Sequence, residues 1–170
     1  MIIISLGSNL PSKFGDRFYN IEMAISFLTK YNIKVIKKSS FYETPSYPDQ
    51  NNPKFINMCI SITTNLTPVD LLSVLIFIEE KLERKRNKKN DPRTCDMDII
   101  DFNNQIINVK YKKFNLQIPH NKLEFRNFVL VPLNEILPNW IHPKTKEHIG
   151  SLLKKLNDVD KNSILKIKKY

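Results

Sequence analysis

Phe55-Ile56-Asn57-Met58-Cys59-Ile60-Ser61-Ile62-Thr63-Thr64 decides the reading of the fold. Ile56, Met58, Ile60 and Ile62 recur at every second position, the period of a strand with one apolar face. The other face carries Phe55, Asn57, Cys59, Ser61 and Thr63. An aromatic and an amide at the start of that face suit stacking on, and hydrogen bonding to, a flat heterocycle. The alternative is a second core layer beneath a helix. Asn57 is the harder residue to bury idly, because an amide has both donors and acceptors to satisfy.

The elements on either side alternate in kind. Ile2 to Leu6 is a short buried strand ended by Gly7, and Phe18, Ile21, Ala24, Ile25 and Leu28 give residues 16–30 a helical period. Ile33 to Tyr42 alternates Ile/Val with Lys as one half-exposed strand, and Thr44 to Pro53, with three prolines, is a loop. After the central strand, Thr67-Pro68-Val69-Asp70 starts a helix, with Thr67 as N-cap and Pro68 at the first helical position. Leu71, Leu72, Leu75, Ile78 and Leu82 line one side of it. The strand Asp96–Phe102 follows. The order β-α-β-β-α-β predicts an α+β, ferredoxin-like core: a largely antiparallel sheet with helices on its faces. Residues 103–170 add short strands, a Pro-His loop, a helix near 128–137 and another near 147–157 as a C-terminal extension. Neither a repeat nor a linker splits the chain, so residues 1–170 are read as one domain.

Composition narrows the function. The 170 residues are 41% hydrophobic and 26% charged, which are globular values. A net charge of +10 favours an anionic partner, nucleic acid or a phosphorylated small molecule. There is no basic leader ahead of Met1-Ile2-Ile3-Ile4 and no apolar run of membrane-spanning length, so a cytoplasmic protein off the membrane is expected. Cys59 and Cys95 make neither a disulfide framework nor a metal-ligand spacing.

Asp91-Pro92-Arg93-Thr94-Cys95-Asp96-Met97-Asp98 carries the chemistry. On a strand, Asp96 and Asp98 share a face, and two such carboxylates repel unless a cation lies between them. Two hard oxygen ligands suit Mg²⁺, which completes its shell with water and phosphate. Arg93 and the basic segment from Arg84 to Lys89 are the anion partners. The plain alternative is a solvated acidic pair beside a solvated basic loop. Glu79 is either a partner of one of these arginines or exposed. His120 suits phosphate binding or proton transfer and Arg126 a bidentate phosphate contact, or both are ordinary surface groups. His142 and His148 are read as surface residues. Gly7-Ser8-Asn9 lacks the frame of a phosphate loop, and its Ser and Asn are read as shaping the turn into the first helix.

Taken in order, Gly7-Ser8-Asn9-Leu10, Ser40 to Pro45, Phe55-Ile56-Asn57, Pro92-Arg93-Thr94-Cys95-Asp96-Met97-Asp98-Ile99, Pro119-His120, Arg126-x-Phe128-Val129-Leu130 and Pro132-Leu133-x-Glu135-Ile136-x-Pro138 resemble the 6-hydroxymethyl-7,8-dihydropterin pyrophosphokinase family of folate biosynthesis. The resemblance implies pyrophosphate transfer from ATP to the pterin hydroxymethyl group, with AMP released. It implies that Asp96 and Asp98 hold two Mg²⁺ and that Arg84 and Arg93 take part in catalysis. The pterin would lie between Phe55 and Phe128, its edge read by Asn57 and backbone near Thr44 and Pro45. Glu79, Arg86, Arg93, His120 and Arg126 would serve the nucleotide, while segment 84–90 and Pro45–Asn52 would be loops over the site. A monomer without nucleic-acid or membrane partners is expected, with dihydropteroate synthase as a functional neighbour. The competing readings are a ferredoxin-like RNA-binding module, which lacks its aromatic signature run here, and another Asp-x-Asp nucleotidyltransferase, which would release pyrophosphate.

Overall fold

The computed structural model describes residues 1–86, 88, 90–111 and 114–168; Asn87 and Lys89, within the basic segment, lie outside the described residues. Strands β1 (Ile2–Ser8), β2 (Lys34–Lys38), β3 (Phe41–Thr44), β4 (Phe55–Thr63) and β5 (Asp96–Phe102) form the main sheet with α1 (Arg17–Thr29) and α2 (Pro68–Lys81) between them. The sheet order is β5-β1-β4-β3, and β2 also pairs with β4. Every pairing is antiparallel, so β1 runs parallel to β3, and β4 parallel to β5, each with another strand between. Two βαβ units interleaved in this way are the ferredoxin-like core that the element order predicts.

The helices begin where local chemistry starts them. The Asp16 carboxylate accepts from the Phe18 and Tyr19 amides ahead of α1, and Thr67 Oγ1 accepts from Asp70 N ahead of α2. Their apolar stripes bury Ile21, Ala24, Leu28, Leu71, Leu75 and Ile78 against Ile2, Ile4, Leu6, Ile56, Ile60 and Ile62. Each such side chain contributes about 1.5–3 kcal/mol on leaving water.

The opposite sheet face is where fold and site divide the surface. Ile3, Cys59 and Ile100 pack under α3 (Asn127–Ile136) and α4 (Ile149–Lys155), with Trp140 and Leu156 completing a second core. Cys59 is therefore a core residue, whereas Phe55 and Asn57 lie past the edge of that core. A hairpin of β6 (Ile107–Tyr111) and β7 (Phe114–Ile118) follows β5, and α5 (Asp158–Asn162) follows α4.

Expectation and structure differ at four points. The strand expected over Ile33–Tyr42 is two strands: Ser39 breaks the ladder, its N–H donating to the Cys59 carbonyl and its hydroxyl accepting from Cys59 N. Gly7 does not end β1, which runs through Ser8 because Gly7 and Ser8 still pair with Asn57 and Ile56. The helix expected near 147–157 is α4, capped by His148, but a further short helix, α5, capped by Asn157, follows it. A final strand, β8 (Leu165–Ile167), adds to the β3 edge; its Leu-Lys-Ile is too short to register as a period.

Candidate active site

The site lies on the α3 face, where β4 and β5 begin and β1 and β3 end. Register sets Asn57, Gly7 and Asp96 side by side across three strands, and Cys59, Ser5 and Asp98 form the next row. Gly7 makes the hollow between the first two side chains. A methyl group built there would meet Asn57 Oδ1 at 3.4 Å, Phe55 Cδ1 at 3.5 Å and Asp96 Cβ at 3.9 Å. Asn57 is 4% exposed, and its amide nitrogen donates to Thr44 Oγ1 at 2.9 Å. That bond aims its oxygen across the hollow. Pro45 follows directly, at the mouth of the loop over this end of the sheet.

The aspartates do not stand alone. Asp96 accepts from Arg84 Nη1 at 2.5 Å and from Arg93 Nε at 2.9 Å, and Arg93 Nη2 lies 2.7 Å from it. Burial opposes its ionised form, yet the Arg93 and Arg84 guanidinium groups hold its carboxyl below the usual range. Asp98 accepts from Arg126 Nη1 at 3.2 Å. The repulsion expected between two bare carboxylates is thus relieved by arginines, one or more to each.

The same arginines cover the aromatic rings. The Arg93 guanidinium sits 4.9 Å from the Phe55 ring centre, and that of Arg126 sits 5.4 Å from the Phe128 ring centre. Phe128, in the first turn of α3, is brought to the site by the helix that roofs the second core.

Glu79 resolves in favour of the partner reading. It is 2% exposed, it accepts from the Met97 backbone N–H at 2.7 Å, and Arg84 and Arg86 both close on it. Burial, aided by Asp96, pushes its carboxyl up to about 7 against the pull of the two arginines. The sequence did hold the signal: Glu79 lies four residues beyond Leu75 and eight beyond Leu71, on the buried stripe.

Beside Asp96, a cleft of about 420 Å³ is lined by Arg84, Lys85, Arg86, Lys88 and Arg93, with Asn90 and Asp91. Five cations line this cleft, and two of them, Arg84 and Arg93, also hold Asp96, an arrangement that suits a polyanion and its metal. Among the described residues no three His, Cys, Asp or Glu side chains cluster as a complete protein-made metal cage. Two carboxylates fit Mg²⁺, which keeps water and phosphate in its shell, and do not fit a closed zinc site. His120 is pushed below the ordinary histidine range by burial, against the pull of Asp98. Its neighbour in type, His142, is a correction. It is 3% exposed and accepts from the Lys144 and Thr145 amides, because the turn after α3 folds over it. His148 is exposed, as expected.

The sequence profile of the 7,8-dihydro-6-hydroxymethylpterin-pyrophosphokinase family matches residues 3–138. A relative from Synechocystis named 2-amino-4-hydroxy-6-hydroxymethyldihydropteridine pyrophosphokinase is 34% identical over 91% of this chain and 75% of its own. The folic acid synthesis protein fol1 of Pneumocystis carinii is 37% identical over 96% of this chain, which spans only 21% of that protein. A crystal structure of Plasmodium falciparum HPPK-DHPS superposes with a TM-score of 0.76 at 18% identity, over 99% of this chain and 48% of that one. It shares the fold. With site, order and relatives in agreement, this chain belongs to the 7,8-dihydro-6-hydroxymethylpterin-pyrophosphokinase family.

Proposed function

We propose that the Gly7 hollow holds the pterin, that the cationic cleft holds the ATP triphosphate, and that Asp96 and Asp98 present two Mg²⁺ between them. The reaction is pyrophosphate transfer in folate biosynthesis: the hydroxymethyl oxygen attacks the β-phosphorus of ATP, its proton is lost, and AMP leaves. The observation that carries this reading is the row Asn57–Gly7–Asp96, in which a position without a side chain, flanked by a buried amide and an aromatic ring, adjoins a metal-type carboxylate.

Each residue then has a task. Phe55 and Phe128 stack on the ring, and the Asn57 oxygen accepts from its N–H edge while Thr44 fixes the amide's orientation. Arg84 and Arg93 exchange Asp96 for phosphate oxygens as the nucleotide enters, and Arg126 exchanges Asp98 in the same way. Arg86 and His120 add contacts along the phosphates, and Glu79 keeps Arg84 and Arg86 aimed into the cleft. Mg²⁺, when bound, supplies neutralisation of the charge on the bridging phosphate oxygens. Such transfer asks for positioning and charge neutralisation more than for covalent work by the protein. Segment 45–52, with Arg84, Lys85 and Arg86, would exclude water, the competing nucleophile.

We also infer a single functional domain over residues 1–170 and a monomer at work in the cytoplasm. Among the described residues no helix is long and apolar enough to cross a membrane. Fusion of this domain to longer folate-synthesis proteins in relatives supports dihydropteroate synthase as a neighbour. The deciding experiment incubates the protein with ATP, Mg²⁺ and 6-hydroxymethyl-7,8-dihydropterin. AMP that forms only with pterin present supports the reading, and ADP or pyrophosphate as product refutes it.

A further inference from the structure

We propose that Asn9 is a positioning residue for this reaction, one buried amide that sets both the loop over the pterin hollow and the arginine on Asp96. The proposal rests on the pyrophosphokinase reading of the site. Asn9 lies in the turn after β1 and is 2% exposed. Its amide nitrogen donates to Ser46 Oγ at 3.2 Å and to the Pro53 carbonyl at 3.0 Å, the two ends of the segment 46–53. Ser46 Oγ donates to the same carbonyl at 2.6 Å, so the loop closes on itself over Asn9.

The other side of the amide serves the arginine. Asn9 Oδ1 accepts from the Arg93 backbone N–H at 2.6 Å, and Asn9 N–H donates to the Arg93 carbonyl at 3.0 Å. Arg93 carries this anchoring forward to Asp96 and to the Phe55 ring. Both donors of the side chain are therefore spent on the loop and its acceptor on the arginine segment. Only an amide offers two donors and an acceptor at one end; Asp offers acceptors alone, and Gln is a methylene longer. A turn-shaping asparagine would bond within its own few residues, whereas this one reaches 37, 44 and 84 residues along the chain. The fit of the loop over the pterin and the aim of Arg93 at the metal carboxylate consequently move together.

Substitutions separate the two arms. Asn9→Asp keeps the acceptor for Arg93 N–H and removes both donors to the loop. Ser46→Ala removes the Asn9–Ser46 and Ser46–Pro53 bonds, keeps the Asn9–Pro53 bond and leaves the arginine arm whole. Asn9→Ala removes both arms. Each variant is read by hydrogen exchange of backbone amides in 45–53 and in 91–95, by thermal melting, and by AMP formation with pterin and MgATP varied separately. A buried hydrogen bond lost is worth about a tenfold change. Asn9→Asp is expected to speed exchange in 45–53 and not in 91–95, and to raise the pterin KM about tenfold with the MgATP KM within about twofold. Ser46→Ala moves the same way by less, and Asn9→Ala adds faster exchange in 91–95 and a kcat lower by about tenfold or more. Should Asn9→Ala not fold, Asn9→Asp and Ser46→Ala carry the test. Parent-like exchange in 45–53 for Asn9→Asp, or losses shared equally by kcat and both KM values in step with lost folded protein, overturn the proposal. Absence of AMP formation by the parent protein refutes the pyrophosphokinase reading instead, and the exchange comparison, which needs no substrate, still decides the role of Asn9.

Discussion

Replacing Glu135 with Gln tests the knot that fixes α3 over the site. The Glu135 carboxylate accepts from Ser40 N at 3.0 Å, Ser40 Oγ at 2.7 Å and Tyr42 Oη at 2.8 Å, and pairs with Lys166 Nζ at 3.0 Å. It thus ties the helix that presents Phe128 to strands β3 and β8. Partial burial opposes the ionised form, but the bonds from Ser40, Lys166 and Tyr42 outweigh it and hold the carboxyl down at about 2. Taken in full, that gap from an ordinary glutamate is worth about 3 kcal/mol. The side chain is 28% exposed and its lysine 57%, so solvent screening reduces this to about 1–2 kcal/mol. The sign follows from the lowered carboxyl. The stabilisation is complete above the unfolded value near 4.5 and is lost as pH falls toward about 2. Glu135→Gln should therefore melt about 2–8 °C below the parent at pH 7, at about 2–4 °C per kcal/mol for a chain of this size. The gap should close progressively between about pH 4.5 and pH 2. Paired thermal melts at pH 7, 5 and 3 measure it. A gap that is the same at pH 7 and pH 3, or a variant more stable than the parent at pH 7, refutes the reasoning.

Other perturbations bear on the site itself. Gly7→Ala puts a methyl at ordinary contact distance from Asn57 and Phe55, so melting should shift by about 1 °C or less while pterin affinity, followed by pterin fluorescence, falls about tenfold or more. Asp96→Ala leaves Arg84 and Arg93 without their shared anion and should cost about 2–3 kcal/mol in urea unfolding, whereas Asp98→Ala, at a half-exposed position, should cost about 1 kcal/mol or less. Both should lower kcat about a hundredfold or more in the AMP assay. Glu79→Gln should lower kcat about tenfold, as Arg84 and Arg86 lose their anchor, yet match or exceed the parent's stability at pH 8. The sign comes from a carboxyl raised to about 7: its ionised form penalises the folded state increasingly from about pH 4.5 upward, a penalty that Gln avoids and that melts at pH 5 and pH 8 compare.

Much of this architecture was legible because it rests on short-range periodicity. Ile56, Met58, Ile60 and Ile62 declare a face by alternation, and Thr67-Pro68 declares a helix start by capping chemistry. The aspartate pair was legible as a pair for the same reason, since strand geometry alone puts Asp96 beside Asp98. What surrounds the pair was not. The arginines on the carboxylates and rings come from three segments, around residues 84–86, 93 and 126, which only the tertiary fold brings to one end of the sheet. Asn9 looked like a turn residue because its partners are remote in sequence. Glu79 was ambiguous because a charge on a buried stripe conflicts with burial until its arginines are known. His142 likewise offered no periodic signal, being buried by an irregular turn.

The guanidinium groups lying over Phe55 and Phe128 have a chemical consequence for recognition. A pterin carries a guanidine unit within its aminopyrimidinone ring, planar and edged with N–H donors. Each ring of the slot already faces a side chain of that same shape and donor pattern. With the pterin lying between these rings as proposed, substrate entry would be an exchange of like for like, a cyclic guanidine for an arginine's open one. On this reading a flat heterocycle without that unit, such as adenine, gives up contacts which the chain supplies to itself, whereas guanine, which carries the same unit, is not rejected on that ground.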